Sequence, residues 1–90
     1  MSNTIWKFEM AIKGRQIIDM PAGAKILDLQ IQCGRLALWS LVNPGMMPVP
    51  RSFDIYGTGH ETPEDPGKYI ATIQSDAGVL VWHVFDTSTY

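Results

Sequence analysis

The run KILDLQIQCGRLALWSLV, residues Lys25 to Val42, fixes the fold class. Its first half alternates strictly. Leu27, Leu29 and Ile31 point toward a core, and Asp28, Gln30 and Gln32 toward water, the period of two that marks a half-buried strand. Cys33-Gly34-Arg35 is then the turn. Leu36 to Val42 differs, because both of its faces are mostly apolar. Such a strand is central in a sandwich, or lies in a barrel wall covered by another subunit, or sits at an interface. The interface is the preferred reading, since 90 residues rarely supply two full covering layers.

Upstream, Ile5 to Ile12 (IWKFEMAI) alternates in the same way. Trp6, Phe8, Met10 and Ile12 share one face; Lys7 and Glu9 share the other. Lys13-Gly14-Arg15 reads as a turn and Gln16 to Met20 as a strand with Ile18 and Met20 inward, so the two runs predict a first hairpin. Pro21 cannot donate to a ladder and ends that strand or marks an edge. Downstream, Asn43-Pro44-Gly45 is a turn, and Met46 to Pro50 an extended, proline-stiffened loop. Met46 and Met47 either pack over the end of the core, the favoured reading, or form an adaptable contact surface.

Arg51 to Ile70 (RSFDIYGTGHETPEDPGKYI) holds most of the polar and glycine residues that could shape a site. Phe53 and Ile55 face one way, Asp54 and Tyr56 the other. Tyr69, Ala71 and Ile73 alternate with Ile70, Thr72 and Gln74. Between these strands Gly57 to Gly67 is a long loop, and long loops are either functional or simply solvated. Asp76-Ala77-Gly78 reads as a hairpin turn. Val79 to Phe85 (VLVWHVF) is the last strand, again apolar on both faces, and Asp86 to Tyr90 a polar tail.

Seven strand-like runs without a convincing helix predict a single all-β domain over residues 1–90, a small antiparallel β-sandwich or barrel of about seven strands. The apolar fraction of 46% is that of a globular domain. No apolar run reaches the ~18 residues that span a bilayer, and the start lacks a signal peptide, so a cytoplasmic location and no membrane partner are expected. The single cysteine, Cys33, excludes an internal disulfide. A net charge of −2 with scattered Lys and Arg argues against nucleic acid. Modest size favours a homo-oligomer.

For chemistry, the residue types set limits. His60, His83, Cys33, Glu61 and Asp65 lack metal-ligand spacing, so no metal and no cofactor are expected. His83 shares a face with Val81 and Phe85 and reads as a buried, hydrogen-bonded histidine. No nucleophile and base are placed together by any motif, and the chain is read as a non-enzyme. A binding site fits better. Arg51, Tyr56, Thr58 and His60 cluster around a Gly-Thr-Gly bend whose N–H groups could form an anion nest. Arg51 would add a bidentate phosphate contact, and Tyr56 or Trp39 a stacking surface for a base. The alternative makes Tyr56 and Trp39 core or interface aromatics.

Several segments together carry a likeness to known proteins. These are Thr4-Ile5-Trp6-Lys7-Phe8, Met20-Pro21-Ala22-Gly23-Ala24-Lys25-Ile26-Leu27, Leu38-Trp39-Ser40-Leu41-Val42, Phe53 to His60 and Val81-Trp82-His83-Val84-Phe85. In that order the chain resembles a family of short, uncharacterised proteins of tailed bacteriophages and prophages. Ile55-Tyr56-Gly57-Thr58-Gly59-His60 and Asp65-Pro66-Gly67-Lys68-Tyr69-Ile70 are the most specific parts. The resemblance implies no assigned activity. It implies a context in which small proteins block a host protein or sequester a nucleotide signal of the host's immune system. The resulting expectation is an oligomeric β-protein that binds a ligand, most sharply such a nucleotide-derived signal, through Arg51, Tyr56, Thr58, His60 and Trp39. The second expectation is a structural or protein–protein module docking on a host or phage protein through the apolar faces of Leu36–Val42 and Val79–Phe85.

Overall fold

The computed structural model describes residues 2–88. Seven antiparallel strands form two sheets: β1 (Thr4–Met10), β4 (Arg35–Val42) and β3 (Lys25–Gln32) in the order β1-β4-β3, and β2 (Arg15–Pro21), β5 (Pro48–Gly57), β7 (Leu80–Asp86) and β6 (Lys68–Ser75) in the order β2-β5-β7-β6. The only helical element among the described residues is a three-residue 3-10 turn, Asp76–Gly78, inside the β6–β7 hairpin. This is the all-β antiparallel architecture expected from the sequence, in its sandwich form.

The core lies between the sheets. Met10, Leu29, Leu36, Leu38 and Val42 from one sheet meet Met20, Phe53, Ile55, Ile73 and Val84 from the other, all buried. Burying each such side chain contributes roughly 1.5–3 kcal/mol, which is why the alternating runs settle with these faces inward. The β3–β4 hairpin closes in a two-residue turn with Gln32 opposite Arg35. Cys33 (φ 50) and Gly34 (φ 77) both take left-handed backbone, the type I′ pattern that matches strand twist.

β4 and β7 are the strands that read as apolar on both faces, and both are central in their sheets. Leu36, Leu38, Ser40 and Val42 face inward. On the outer face Ala37 is buried, and Lys7 Nζ donates to Gln32 Oε1 at 3.1 Å. A central position gives β4 a strand on each side, while Trp39 and Leu41 on its outer face stay only partly buried.

Several local expectations are corrected. β1 and β2 do not form a hairpin: β1 pairs with β4, and β2 with β5 in the opposite sheet. The connection crosses between sheets, held by the Gln16 side chain, which both donates to the Ala11 carbonyl (2.6 Å) and accepts from its N–H (3.0 Å). Leu27 does not face the core. A bulge between Ile26 and Asp28 turns Leu27 outward and packs Ile26 against the core instead. A second bulge, between Tyr69 and Ala71, likewise separates Tyr69 from the inward face of Ala71 and Ile73. Pro48 to Pro50 is strand, not loop, and lies where β5 has β2 on one side and has not yet met β7, so the missing proline N–H groups cost no ladder bond. Met47 is 79% exposed and Met46 also exposed, so neither packs over the core end. Asp86 to Ser88 is not a loose tail. Asp86 ends β7, and Thr87 N–H donates to the Ser52 carbonyl at 2.9 Å. Residues 89 and 90 of that segment lie outside the described residues.

Candidate functional site

At the edge where β3 and β6 run side by side, the two sheets leave a cavity of about 310 Å³. Ala24, Lys25, Ile26 and Leu27 line one wall, Lys68, Tyr69 and Ile70 the other, with Arg51 and Asp86 between them. Both bulges fall in these walls. Bulges re-aim side chains and interrupt pairing, and here they hold the two edge strands apart from a flush contact. Gly67 precedes the second wall. Its φ of 106 and the Asp86 carbonyl, which a Cβ would meet at 2.8 Å, both require glycine.

Arg51 is the unusual group. It points inward between the sheets and is only 5% exposed. Its Nη2 donates to Asp86 Oδ2 at 2.7 Å and its Nη1 to the Ala24 carbonyl at 2.8 Å. Its Nε is buried with no hydrogen-bond partner among the described residues. Asp86 is held in turn by the Ser88 N–H on Oδ1 at 2.8 Å. Burial pushes the Asp86 carboxyl up. The hydrogen bonds from Arg51 and Ser88, with the Arg51 charge, outweigh burial and leave its pKa below the usual value. Lys25 and Lys68 are exposed at the rim. Three cations against one carboxylate make this an electropositive cavity.

The residues singled out from the sequence are divided among different places. Arg51 lies in the cavity. Tyr56 sits on the outer face of the second sheet, opposite His83. Its hydroxyl donates to Asp54 Oδ2 at 3.4 Å, and its ring meets Phe85 edge-on at 6.0 Å. Asp54 is buried there in a bidentate pair with Arg15, 2.8 and 2.9 Å. The hydrogen bond from Arg15 holds the Asp54 carboxyl below its ordinary pKa against the opposing effect of burial. Burial, then the Asp54 charge, raises the Tyr56 phenol.

Thr58 and His83 meet on that same outer face, Oγ1 to Nε2, at 2.8 Å. His83 Nδ1 lies 3.0 Å from Thr72 Oγ1, which contacts the Tyr69 hydroxyl at 2.7 Å. His83 is thus hydrogen-bonded as expected, but it is half-buried on an outer face rather than in the core. His60 folds back over the strand end. Gly57 N–H donates to His60 Nδ1 at 3.2 Å, and the ring stands edge-on to Trp82 at 6.4 Å. The imidazole occupies the donor that an anion nest at Gly57 would have used. With Nδ1 accepting, neutral His60 carries its proton on Nε2 and offers no free lone pair to a substrate. A second hollow of about 280 Å³ lies beside it, lined mostly by Val79, Leu80, Val81 and Trp82. Trp39 is on the outer face of the other sheet, between Lys7 and Asp28, away from Arg51.

The cavity therefore shares only Arg51 with the cluster expected from the sequence. Lys25, Lys68, Tyr69 and Asp86 join it from other strands. No local pattern marks them, because their proximity is created by the packing of β3 against β6. Among the described residues no three His, Cys, Asp or Glu side chains gather as a metal site. No helix is long and apolar enough to cross a membrane.

No curated protein and no solved structure matches the chain. A family described as a domain of unknown function, DUF7352, matches residues 1–89, nearly the full length. The chain belongs to this DUF7352 family of uncharacterised domains.

Proposed function

We propose that this protein is a non-enzymatic binding protein for a small anionic ligand, held in the cavity at Arg51. The observation that carries the reading is the charge of the cavity: a buried Arg51 guanidinium in its wall and Lys25 and Lys68 at its rim, against the single carboxylate of Asp86. A phosphate or carboxylate in the cavity would neutralise Lys25 and Lys68 at the rim and be drawn by the Arg51 charge in the wall. The volume is at the small end of ligand sites, roughly 300–1,000 Å³. It suits one small phosphorylated group better than a dinucleotide. The Tyr69 ring stands on the outer face, edge-on to Phe85 at 5.7 Å with its hydroxyl on Thr72, so it borders the cavity without offering a stacking face inside it.

The sharpest version remains a nucleotide-derived host signal sequestered by a phage or prophage protein in the host cytoplasm, an anti-defence role. The likeness to phage-encoded proteins supports it. Native mass spectrometry of protein purified from bacterial lysate reads a retained ligand directly. Calorimetry with inorganic phosphate and AMP then tests the cavity. Because Arg51 is built into the fold, the variant is the exposed pair Lys25→Ala with Lys68→Ala. Affinity for both probes should fall at least about tenfold. Equal binding by wild type and the lysine variant sinks the proposal.

The second reading, a protein–protein module docking on a host or phage protein, is favoured by one feature. Val79 and Leu80 are exposed beside the Trp82 hollow. A partner captured by wild type and lost with Val79→Ser and Leu80→Ser would support it.

A further inference from the structure

Four strands end the two sheets: β1 and β3 in one, β2 and β6 in the other. Free strand edges template pairing with other chains, and proteins blunt them with proline, bulges or neighbouring elements. β3 and β6 each carry a bulge and lie against each other. β2 ends in Pro21. Among the described residues β1 has no proline, bulge or covering element, and the one edge device it carries, the charge of Lys7, stands beside the opposite charge of Glu9. It runs through seven residues, TIWKFEM, in unbroken register with β4 and is hydrogen-bonded on one side only.

The side chains of β1 are also unusually open. Ile5 is 58% exposed and Trp6 40%. Trp6, Phe8 and Met10 are on the inward face, where the Trp6 and Phe8 rings lie 6.3 Å apart at the margin of the core. Lys7 and Glu9 are on the outward face.

We infer that β1 pairs with β1 of a second copy of this chain, antiparallel, with the two-fold axis at Phe8. The two charges select that register. An axis at Lys7 would set Lys7 opposite its own copy, and an axis at Glu9 would do the same to Glu9. The axis at Phe8 sets Lys7 opposite Glu9 of the second copy, twice. It also sets Phe8 against Phe8 and Trp6 against Met10 on the inward face. Opposite charges and aromatic pairs directly across a ladder stabilise it, and like charges destabilise it. The two three-stranded sheets become one of six strands, and the margin of each core, where Trp6 is open, is continued by its partner. The interface is isologous and closed, so it stops at a dimer. This surface is distinct from the Arg51 cavity, which lies at the opposite edge of the same sheet.

Sedimentation equilibrium on the full chain tests this with four proteins: wild type, Lys7→Glu, Glu9→Lys and the double reversal. Lys7 and Glu9 are both exposed, so circular dichroism should show the same fold throughout. Wild type should be a dimer. Each single reversal should weaken the dimer at least about tenfold, because it sets like charges opposite each other twice. The double reversal should restore it. A monomeric wild type overturns the proposal. So does a dimer indifferent to the single reversals, and so does a double reversal that fails to recover.

Discussion

Replacing Asp86 with alanine removes the counter-charge of a guanidinium that the fold has taken out of water. Arg51 is 5% exposed, the Asp86 side chain about 10%, and their Nη2–Oδ2 contact is 2.7 Å. In Asp86→Ala, Arg51 keeps one acceptor, the Ala24 carbonyl, while its Nε remains without one. The Ser88 N–H loses its acceptor as well. Breaking one side of a buried pair costs about 3–5 kcal/mol, most of it from the charge left unpaired. A 90-residue domain has about 5–13 kcal/mol in total. The variant should therefore lose about a quarter or more of its stability. Urea unfolding followed by tryptophan fluorescence reads this, since Trp82 packs against the core. With a slope of roughly 1–1.5 kcal/mol per molar, the midpoint should fall by about 2–5 M. Arg51→Leu combined with Asp86→Leu removes both charges and should cost less than Asp86→Ala alone. A loss below about 1 kcal/mol, the value of an exposed ion pair, would refute the reasoning. So would a double variant as unstable as the sum of its singles.

Two further outcomes follow from other parts of the fold. Asp54 and Asp86 both titrate lower in the folded chain than their ordinary values. Their contribution is fully present above the unfolded carboxylate pKa, about 3.9, and is lost as pH falls through the folded values. Stability to urea should therefore be flat in this respect from neutrality to about pH 5 and drop below pH 4. Asp86→Ala should show a shallower drop. Cys33 holds φ 50 at the first position of its I′ turn, where a non-glycine side chain is strained and asparagine is tolerated. Cys33→Asn should raise stability by about 0.5–1 kcal/mol in the same assay, and a loss would show that the thiol has a packing role.

The positions and type of the strands were legible in the amino-acid order. Alternation over Lys25–Gln32 and Ile5–Met10, with turns at Cys33-Gly34 and Asn43-Pro44-Gly45, is local, and local sterics and burial enforce it. At Asn43 the side chain accepts from Gly45 N–H and the carbonyl from Met46 N–H, both 3.0 Å, as a turn residue should. The apolar character of both faces of β4 and β7 was equally visible, but its cause was not. Both strands prove central in their sheets, and periodicity does not say which strands lie on either side.

Partner choice was beyond local reading for the same reason. β1 and β2 adjoin in sequence yet pair with β4 and β5, because what each strand buries is decided by the complete set of faces. Two bulges reversed the predicted orientation of Leu27 and Tyr69; a single extra residue in one strand exchanges the faces while the hydrophobicity pattern hardly changes. The cavity is the extreme case. Arg51, Lys25, Lys68, Tyr69 and Asp86 come from four strands in two sheets. The sequence by itself determined that the chain would build a small antiparallel all-β domain, with sandwich and barrel both open. Only tertiary packing decided that Arg51 would face inward, find Asp86 and leave its Nε without a partner, because burial, charge pairing and edge contact are properties of assembled layers rather than of any one strand.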